Sequence, residues 1–363
     1  MRGCARGLRN LRAALAPVVA GMCVMTAAAA VLVPTLGGEV AEGGRGSSGP
    51  AVPRPYDPGT AHASPSSRLL PQVLDSARTG GTPMHRGAPH PAATTCTSRN
   101  AAESLRPSSD DGAAVERIKK KGQLVVGVDQ NTYRWGYRNP GTGKLEGFDI
   151  DLARAIAKDI LGPDAKVVFQ AVPTNRRIPA LQRRTVDMVV RTMTINCARK
   201  KRVAFSTAYF QGGQQVLAPK KSKIKAFDGS LRGKRVCTAA GSTGESELAA
   251  RPHGAKVLTV PNQLDCLVRL QLGAADAVVT DNALAAAQAA QDPTVELKGE
   301  PFTDEPYGVA MNRDDTDLVR RVNKVLEDYR SGGADSPWMR AYRTWLRADL
   351  PGISGPPSPE YRD

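Results

Sequence analysis

From residue 113 onward, short apolar runs alternate with longer stretches in which apolar residues recur every three or four positions. Residues 124–128, Leu-Val-Val-Gly-Val, form an apolar run of strand length, fit for a buried strand. Residues 149–161 put Leu152, Ala153, Ile156, Ala157 and Ile160 on one helical face, and Gly162-Pro163 ends that helix. Hairpin turn chemistry, Asn-Pro-Gly-Thr-Gly, stands at 139–143. Further strands are predicted at 166–171, 186–192, 215–218, 234–239, 256–260, 275–280 and 309–311. A helix is predicted after Thr174 as its cap, with Pro179 forcing a late or distorted start. Others open at 241–244, run from Asn262 to 272, cover 281–291, and run from Thr316 to 330 before Gly332-Gly333. A last short helix carries Trp338 and Trp345.

Strands alternating with helices imply parallel sheets flanked by helices, an α/β fold. The alternation runs through two sets, joined by crossings at 209–214 and 301–307, and the strand near Val309 returns to the first set. The chain therefore reads as two α/β lobes with a cleft between them. Lobe 1 is 113–208 with 307–350, lobe 2 is 209–306, and 351–363 is a tail.

The first 112 residues break the pattern. Residues 37–112 are read as a disordered tether, because the stretch up to about 95 is rich in Pro, Gly, Ser and Ala without periodicity. Before it, Arg2, Arg6, Arg9 and Arg12 precede an uncharged stretch over 13–36. That stretch is long enough to span a bilayer, and the basic residues place its start in the cytoplasm. A cleaved secretory signal is the rival reading for 1–36. Lipidation at Cys23 is the third, with Met22 standing where a small residue belongs. All three put the rest of the chain outside the cytoplasm, membrane-anchored or secreted.

Composition narrows the chemistry. Among 363 residues, 50 Lys+Arg against 35 Asp+Glu give a formal charge of +15, which permits nucleic acid, anionic lipid or an acidic ligand. Aromatic residues, at 5%, are too few for an interleaved base-stacking surface, so nucleic acid is not expected. Of the four histidines, His62, His85 and His90 fall in the tether, leaving His253 for the folded part. That argues against a histidine metal site and against a Ser-His-Asp or Cys-His nucleophile. No metal, cofactor or catalytic residue is expected.

Three local signals remain. Gly241-Ser242-Thr243-Gly244 follows a strand and opens a helix, so free backbone N–H groups point at any anion there. No Gly-Lys-Ser/Thr follows, so this is not a phosphate loop. Asp281 ends a strand, where open α/β sheets bind ligands, and its carboxylate suits an ammonium or a helix cap. Thr192 and Thr194 face one side of an extended segment. Arg199 follows in a loop, within the cationic run Arg199-Lys200-Lys201-Arg202. A guanidinium there makes a planar bidentate pair with a carboxylate.

Several motifs together carry a resemblance. They are Gly147-Phe-Asp-Ile-Asp151-Leu, Arg177-Ile-Pro-Ala-Leu181, Val186-Asp-Met, Thr192-Met-Thr-Ile, Arg199-Lys-Lys-Arg-Val-Ala-Phe-Ser206 and Gly241-Ser-Thr-Gly244. Over about 113–346 the chain resembles extracytoplasmic solute-binding proteins of family 3, the polar amino-acid-binding branch. More narrowly it is similar to actinobacterial glutamate/aspartate/glutamine-binding proteins. The resemblance implies a periplasmic-binding-protein-like (type II) clamshell, monomeric, that closes on its ligand and delivers it to an ABC permease. By motif, Arg199 takes the ligand α-carboxylate with Thr194 and the N–H groups near Ser242 and Thr243, and Thr192 and Asp281 hold the ammonium. Thr174 and Arg177 resemble the hydroxyl and arginine that acidic-amino-acid binders aim at the distal carboxylate. The chain departs from the pattern at Asp129, where some acidic-ligand binders carry arginine, and at Arg191, which restores positive charge if it faces the site. Glutamate or aspartate is the expected ligand, with glutamine or asparagine the alternative.

The cysteines fit an oxidising location. Four lie beyond the N-terminal segment, which allows three pairings. Cys237 ends a strand and Cys266 sits early in a helix of the same lobe, so these are paired, which leaves Cys96 with Cys197. A competing role is an amino-acid sensor whose closed form a membrane partner reads, upstream of a Ser/Thr kinase. An enzyme on the same scaffold is the third, disfavoured because a carboxylate clamp and an ammonium-binding Asp281 together suit binding.

Overall fold

The computed structural model describes residues 95–362. The anchor or signal expected at 1–36, and the tether as far as 94, lie outside these residues.

Lobe 1 opens with helix α1 (Ala113–Lys121), which buries Ala114, Val115 and Ile118, and strand β1 (Leu124–Val128). A small antiparallel sheet follows, of β2 (Asn131–Thr132), β3 (Gly136–Arg138) and β4 (Leu145–Glu146). Its predicted turn closes with bonds of 2.8 Å from Asn139 N to Lys144 O and from Gly143 N to Asn139 O. Helix α2 (Phe148–Leu161) buries the predicted apolar face and stops at Gly162, whose φ of 88° suits glycine. Strand β5 (Val167–Ala171), helix α3 (Arg177–Gln182), β6 (Met188–Val189), the single turn α4 (Cys197–Lys200) and β7 (Val203–Phe205) complete this pass.

Strand β8 (Phe210–Gly212) then crosses to lobe 2. That lobe holds β9 (Gln214–Pro219), β10 (Arg235–Ala239), α5 (Thr243–Ala250), β11 (Lys256–Val260), α6 (Gln263–Gln271), β12 (Ala277–Asp281), α7 (Asn282–Gln291) and β13 (Val295–Lys298). Strand β14 (Glu305–Tyr307) pairs antiparallel with β8, so the two predicted crossings form one two-stranded hinge. The chain returns to lobe 1 through β15 (Ala310–Asn312), α8 (Thr316–Arg330) and α9 (Pro337–Ala341).

The sheets share one plan. Lobe 1 runs β5-β1-β6-β15-β7 and lobe 2 runs β11-β10-β12-β9-β13. In each, the fourth strand alone is antiparallel to both neighbours. In each it is also the strand that directly follows a hinge strand, so chain direction across the hinge sets the exception. Side-chain alternation gives the lobe 2 sheet two apolar faces, one with Leu217, Cys237 and Val278, the other with Val216, Val236 and Val279. Around the hinge, Trp135, Phe148, Phe210, Tyr307 and Trp338 pack into one aromatic cluster, with Trp135 and Phe210 ring centroids 4.8 Å apart.

Four expectations need correction. The strand expected at 186–192 pairs only over Met188–Val189, and the chain then turns so sharply that Thr192 takes φ 39°. Thr174 does not cap a helix. It opens a 3-10 turn (Thr174–Arg176), and α3 begins at Arg177 with Pro179 in its first turn, where an N–H has no helical partner anyway. Arg199 sits on α4 rather than in a loop, held by the Asn196 side chain accepting from Arg199 N at 2.9 Å. Finally, the described part of the expected tether is packed. The Ser104 hydroxyl donates to the Phe205 carbonyl at 2.7 Å, and residue 104 pairs with Tyr361 of the tail. Disulfides join Cys96 to Cys197 and Cys237 to Cys266.

Candidate functional site

A small cavity lies between the lobes, lined by polar and charged side chains from both. Lobe 1 lines it with Thr174, Arg177, Arg191, Thr192, Thr194 and Arg199, and lobe 2 with Gln214, Ser242, Thr243, Gln263, Thr280, Asp281 and Leu284. Nine of the ten ligand-binding residues expected from the sequence thus meet at one cavity. Asp129 is the exception: it stands behind Arg191, whose Nη2 lies 2.7 Å from Asp129 Oδ2.

The two arginines expected to grip carboxylates are held differently. Arg199 donates through Nη1 to the Thr194 carbonyl at 2.7 Å and through Nη2 to the Gly241 carbonyl of lobe 2 at 3.2 Å. It therefore bridges the lobes. Burial pulls its pKa down, and the nearby Glu305 and Asp281 carboxylates oppose that, keeping the guanidinium charged. Arg177 donates to two backbone carbonyls, those of Thr174 at 3.0 Å and Arg191 at 3.2 Å, and its pKa is likewise lowered well below the ordinary value, first by burial. Lys200, next in the cationic run, donates to the carbonyls of Ala101 and Glu103, and burial with the neighbouring Arg362 brings its pKa to about 8. So the cationic run splits: Arg199 faces the cavity, Lys200 ties down the N-terminal segment, and Lys201 and Arg202 are exposed.

Thr192 reaches the cavity through strain rather than through strand alternation. Its left-handed backbone is uncommon for a β-branched residue, and the Asp149 carboxylate holds it by accepting from Thr192 N at 3.0 Å. The Tyr209 hydroxyl donates to the other Asp149 oxygen at 2.8 Å. Burial pushes the Asp149 pKa up to about 7 against these two bonds.

In lobe 2, Ser242 caps α5, its hydroxyl accepting from Glu245 N at 3.1 Å. Gly244 lets that helix start lie directly on the sheet: a Cβ there meets the Thr238 hydroxyl at 2.9 Å and the Val279 carbonyl at 3.0 Å. Asp281 does not cap α7. Its carboxylate accepts from the Gln214 amide instead. Burial, then the nearby Glu305 carboxylate, raises its pKa to about 7.

Sequence reasoning missed Gln214, Gln263, Thr280 and Leu284 of the lining, and Glu305 and Asp149 beside it. Gln214 and Glu305 both lie in the predicted crossings, which was the available signal, since polar residues in a hinge between lobes sit at the cleft floor. Glu305 is buried and accepts hydroxyls from Thr194 of lobe 1 and Thr243 of lobe 2, the latter at 2.9 Å. Gln263 begins α6 and carries a buried side-chain nitrogen with no partner among the described residues. Asp149 acts one layer back, and only the folded backbone shows why. Among the described residues no cluster of His, Cys, Asp and Glu is arranged to hold a metal ion, and no helix is long and apolar enough to cross a membrane.

Two hinged α/β lobes closing on a polar cavity, with an arginine bridging them and a carboxylate opposite, define a small-ligand binding protein of the clamshell type. The comparisons agree. Residues 124–348 match the family model of bacterial extracellular solute-binding proteins, family 3, and the chain belongs to that family. It is 38% identical over 247 residues to the ABC transporter glutamine-binding protein GlnH of Bacillus subtilis, covering 68% of this chain and 89% of that protein. It is 29% identical to an L-glutamate/L-aspartate-binding protein of Pseudomonas aeruginosa, covering 65% of this chain and 81% of that one. An ancestral arginine-binding protein bound to arginine superposes with a TM-score of 0.57 at 40% identity, over 62% of this chain and 98% of that one. The family consists of solute-binding proteins, not enzymes.

Proposed function

We propose that this protein binds a single polar amino acid outside the cytoplasm and hands it to an ABC importer, and that its preferred ligand is glutamate, with glutamine next. Arg199 takes the α-carboxylate, assisted by Thr194 and the helix start at Ser242 and Thr243. Asp281 and Thr192 take the α-ammonium. The observation that carries the reading is the pairing of a lobe-bridging guanidinium with a buried carboxylate across one cavity. The zwitterionic ends of an amino acid match those two charges.

The side-chain end favours glutamate on electrostatic grounds. Its polar groups are mostly donors: Arg177, which makes no ion pair among the described residues, and the unpartnered Gln263 nitrogen. Donors match a carboxylate at every oxygen, whereas a carboxamide also brings two N–H groups that need acceptors. Glutamine is the second reading, supported by the named ligand of the Bacillus relative. The reported relatives are named for binding, and the sensing alternative gains no support from them. A membrane-tethered monomer remains the expected form.

Calorimetric titration of the purified full chain in mild detergent, with glutamate, glutamine, aspartate and asparagine, tests the reading. Micromolar binding with glutamate first is the expected result. Binding of none of the four overturns it, and glutamine tighter than glutamate overturns the ligand order alone.

A further inference from the structure

The Asp129–Arg191 pair occupies an unusual place. Both side chains are almost fully shielded, at 9% and 4% exposure, and their charged atoms lie 2.7 Å apart. The Asp129 carboxylate is otherwise fully used. One oxygen accepts from the N–H groups of Gln130 at 2.8 Å and Asn131 at 3.0 Å, and the other accepts the Thr132 hydroxyl at 2.8 Å. Arg191 donates through Nη1 to the Thr174 hydroxyl at 3.0 Å, and its own carbonyl accepts from Arg177. Arg191 and Thr174 line the cavity and Asp129 does not. The Arg191 guanidinium is thus the layer between a buried carboxylate and the ligand space.

A buried carboxylate without a counter-charge is strongly disfavoured, so whatever cation can reach Asp129 will be drawn there. In this chain the cation is supplied internally. With it in place the pair is neutral, and Arg177 leaves the side-chain end of the cavity positive. We propose that Arg191 is a specificity residue that masks Asp129 and thereby excludes amino acids with cationic side chains. Removing its side chain converts the site to one that takes arginine or lysine. The incoming guanidinium or ammonium fills the vacated space and restores the lost ion pair. This inference rests on the amino-acid-binding reading above, because it concerns where the ligand side chain lies.

The test is titration of the wild-type full chain, Arg191→Ala, and Asp129→Asn with Arg191→Ala, with glutamate and with arginine. Wild type is expected to bind glutamate and not arginine. In Arg191→Ala the arginine-to-glutamate affinity ratio should rise by about 100-fold, the scale of one or two hydrogen bonds to a charged group. The double variant, which buries no unpaired charge, should lose that gain. Arg191→Lys, which keeps a cation beside Asp129, should keep the wild-type ranking. Should Arg191→Ala not fold, Arg191→Gln removes the charge while retaining most of the volume and takes the same measurement. An unchanged ranking in the folded single variant overturns the mask alone. So does arginine binding that survives in the double variant, since that gain would not need Asp129. A wild-type protein that binds neither amino acid overturns the amino-acid reading and the mask with it.

Discussion

The two lobes share a sheet order but build their halves of the site by opposite means. Lobe 2 uses the ends of regular elements: Asp281 ends β12, Ser242 caps α5, and Gln263 begins α6. Lobe 1 uses irregular backbone: a 3-10 turn at Thr174, a left-handed Thr192, and a one-turn helix for Arg199. The charges divide likewise. All three cavity arginines come from lobe 1, and lobe 2 answers with hydroxyls, amides and one carboxylate. Regular ends present backbone N–H groups at no conformational cost, so lobe 2 needs little strain to bind an anion. Lobe 1 must aim long side chains, and it does so with buried partners: Asp129 for Arg191, and backbone carbonyls for Arg177 and Arg199.

That contrast can be broken most directly at the clamp. Arg199→Ala is expected to weaken glutamate binding by about 100- to 1,000-fold, the loss of two charge-assisted bonds, while Thr243→Ala costs about tenfold or less because the α5 N–H groups remain. Titration of both variants checks this, and equal losses would erase the division of labour between the lobes. The stapling also differs. Cys237–Cys266 lies within lobe 2 and spans 29 residues, so replacing both cysteines with alanine should cost about 3–4 kcal/mol in denaturant unfolding. Cys96–Cys197 instead ties the N-terminal segment to the helix that carries Arg199. Its loss should loosen that segment, read as faster amide exchange over 96–106, as well as lowering stability.

Acidity separates the lobes more gently. Asp149 of lobe 1 and Asp281 of lobe 2 keep their protons to about pH 7 when folded, against the ordinary carboxylate range when unfolded. The folded state therefore binds extra protons between about pH 4 and 7. The stability associated with these two groups is fully present below pH 4 and is lost as pH rises through 7. Ligand affinity should run the other way, because an ammonium needs Asp281 ionised. It should fall as pH drops from 8 to 5, by up to about tenfold per unit. Asp281→Asn should flatten the affinity profile, and Asp149→Asn should flatten only part of the stability profile. Calorimetry and thermal melts over that range report the two trends. Gln263→Ala removes one uncharged donor to the ligand carboxylate and should cost about tenfold in glutamate affinity, the low end for a bond to a charged group, again by titration.

Much of this was legible in the residue pattern. Apolar runs and helical faces reported the α/β alternation because burial imposes a periodicity of two or near four on any element that packs. The crossings at 209–214 and 301–307 showed as breaks in that rhythm, and the cysteines paired from their predicted elements. Nine of ten expected ligand-binding residues line the cavity: Ser242, Thr243 and Asp281 were readable as element ends, whereas Thr174, Arg177 and Arg191 came with the family resemblance.

What the pattern did not carry depends on contacts between residues far apart in the chain. The partner of Asp129 lies 62 positions away, so no local signal says whether Arg191 faces the ligand, the carboxylate or both. Thr192 lines the cavity because Asp149 and Tyr209 hold a strained turn, not because a strand places it there. Glu305 joins hydroxyls of both lobes only once the hinge brings them together. Periodicity reports which side of an element is buried. The charge balance of a cavity depends on which buried groups end up within about 3 Å of each other, and only the folded chain decides that.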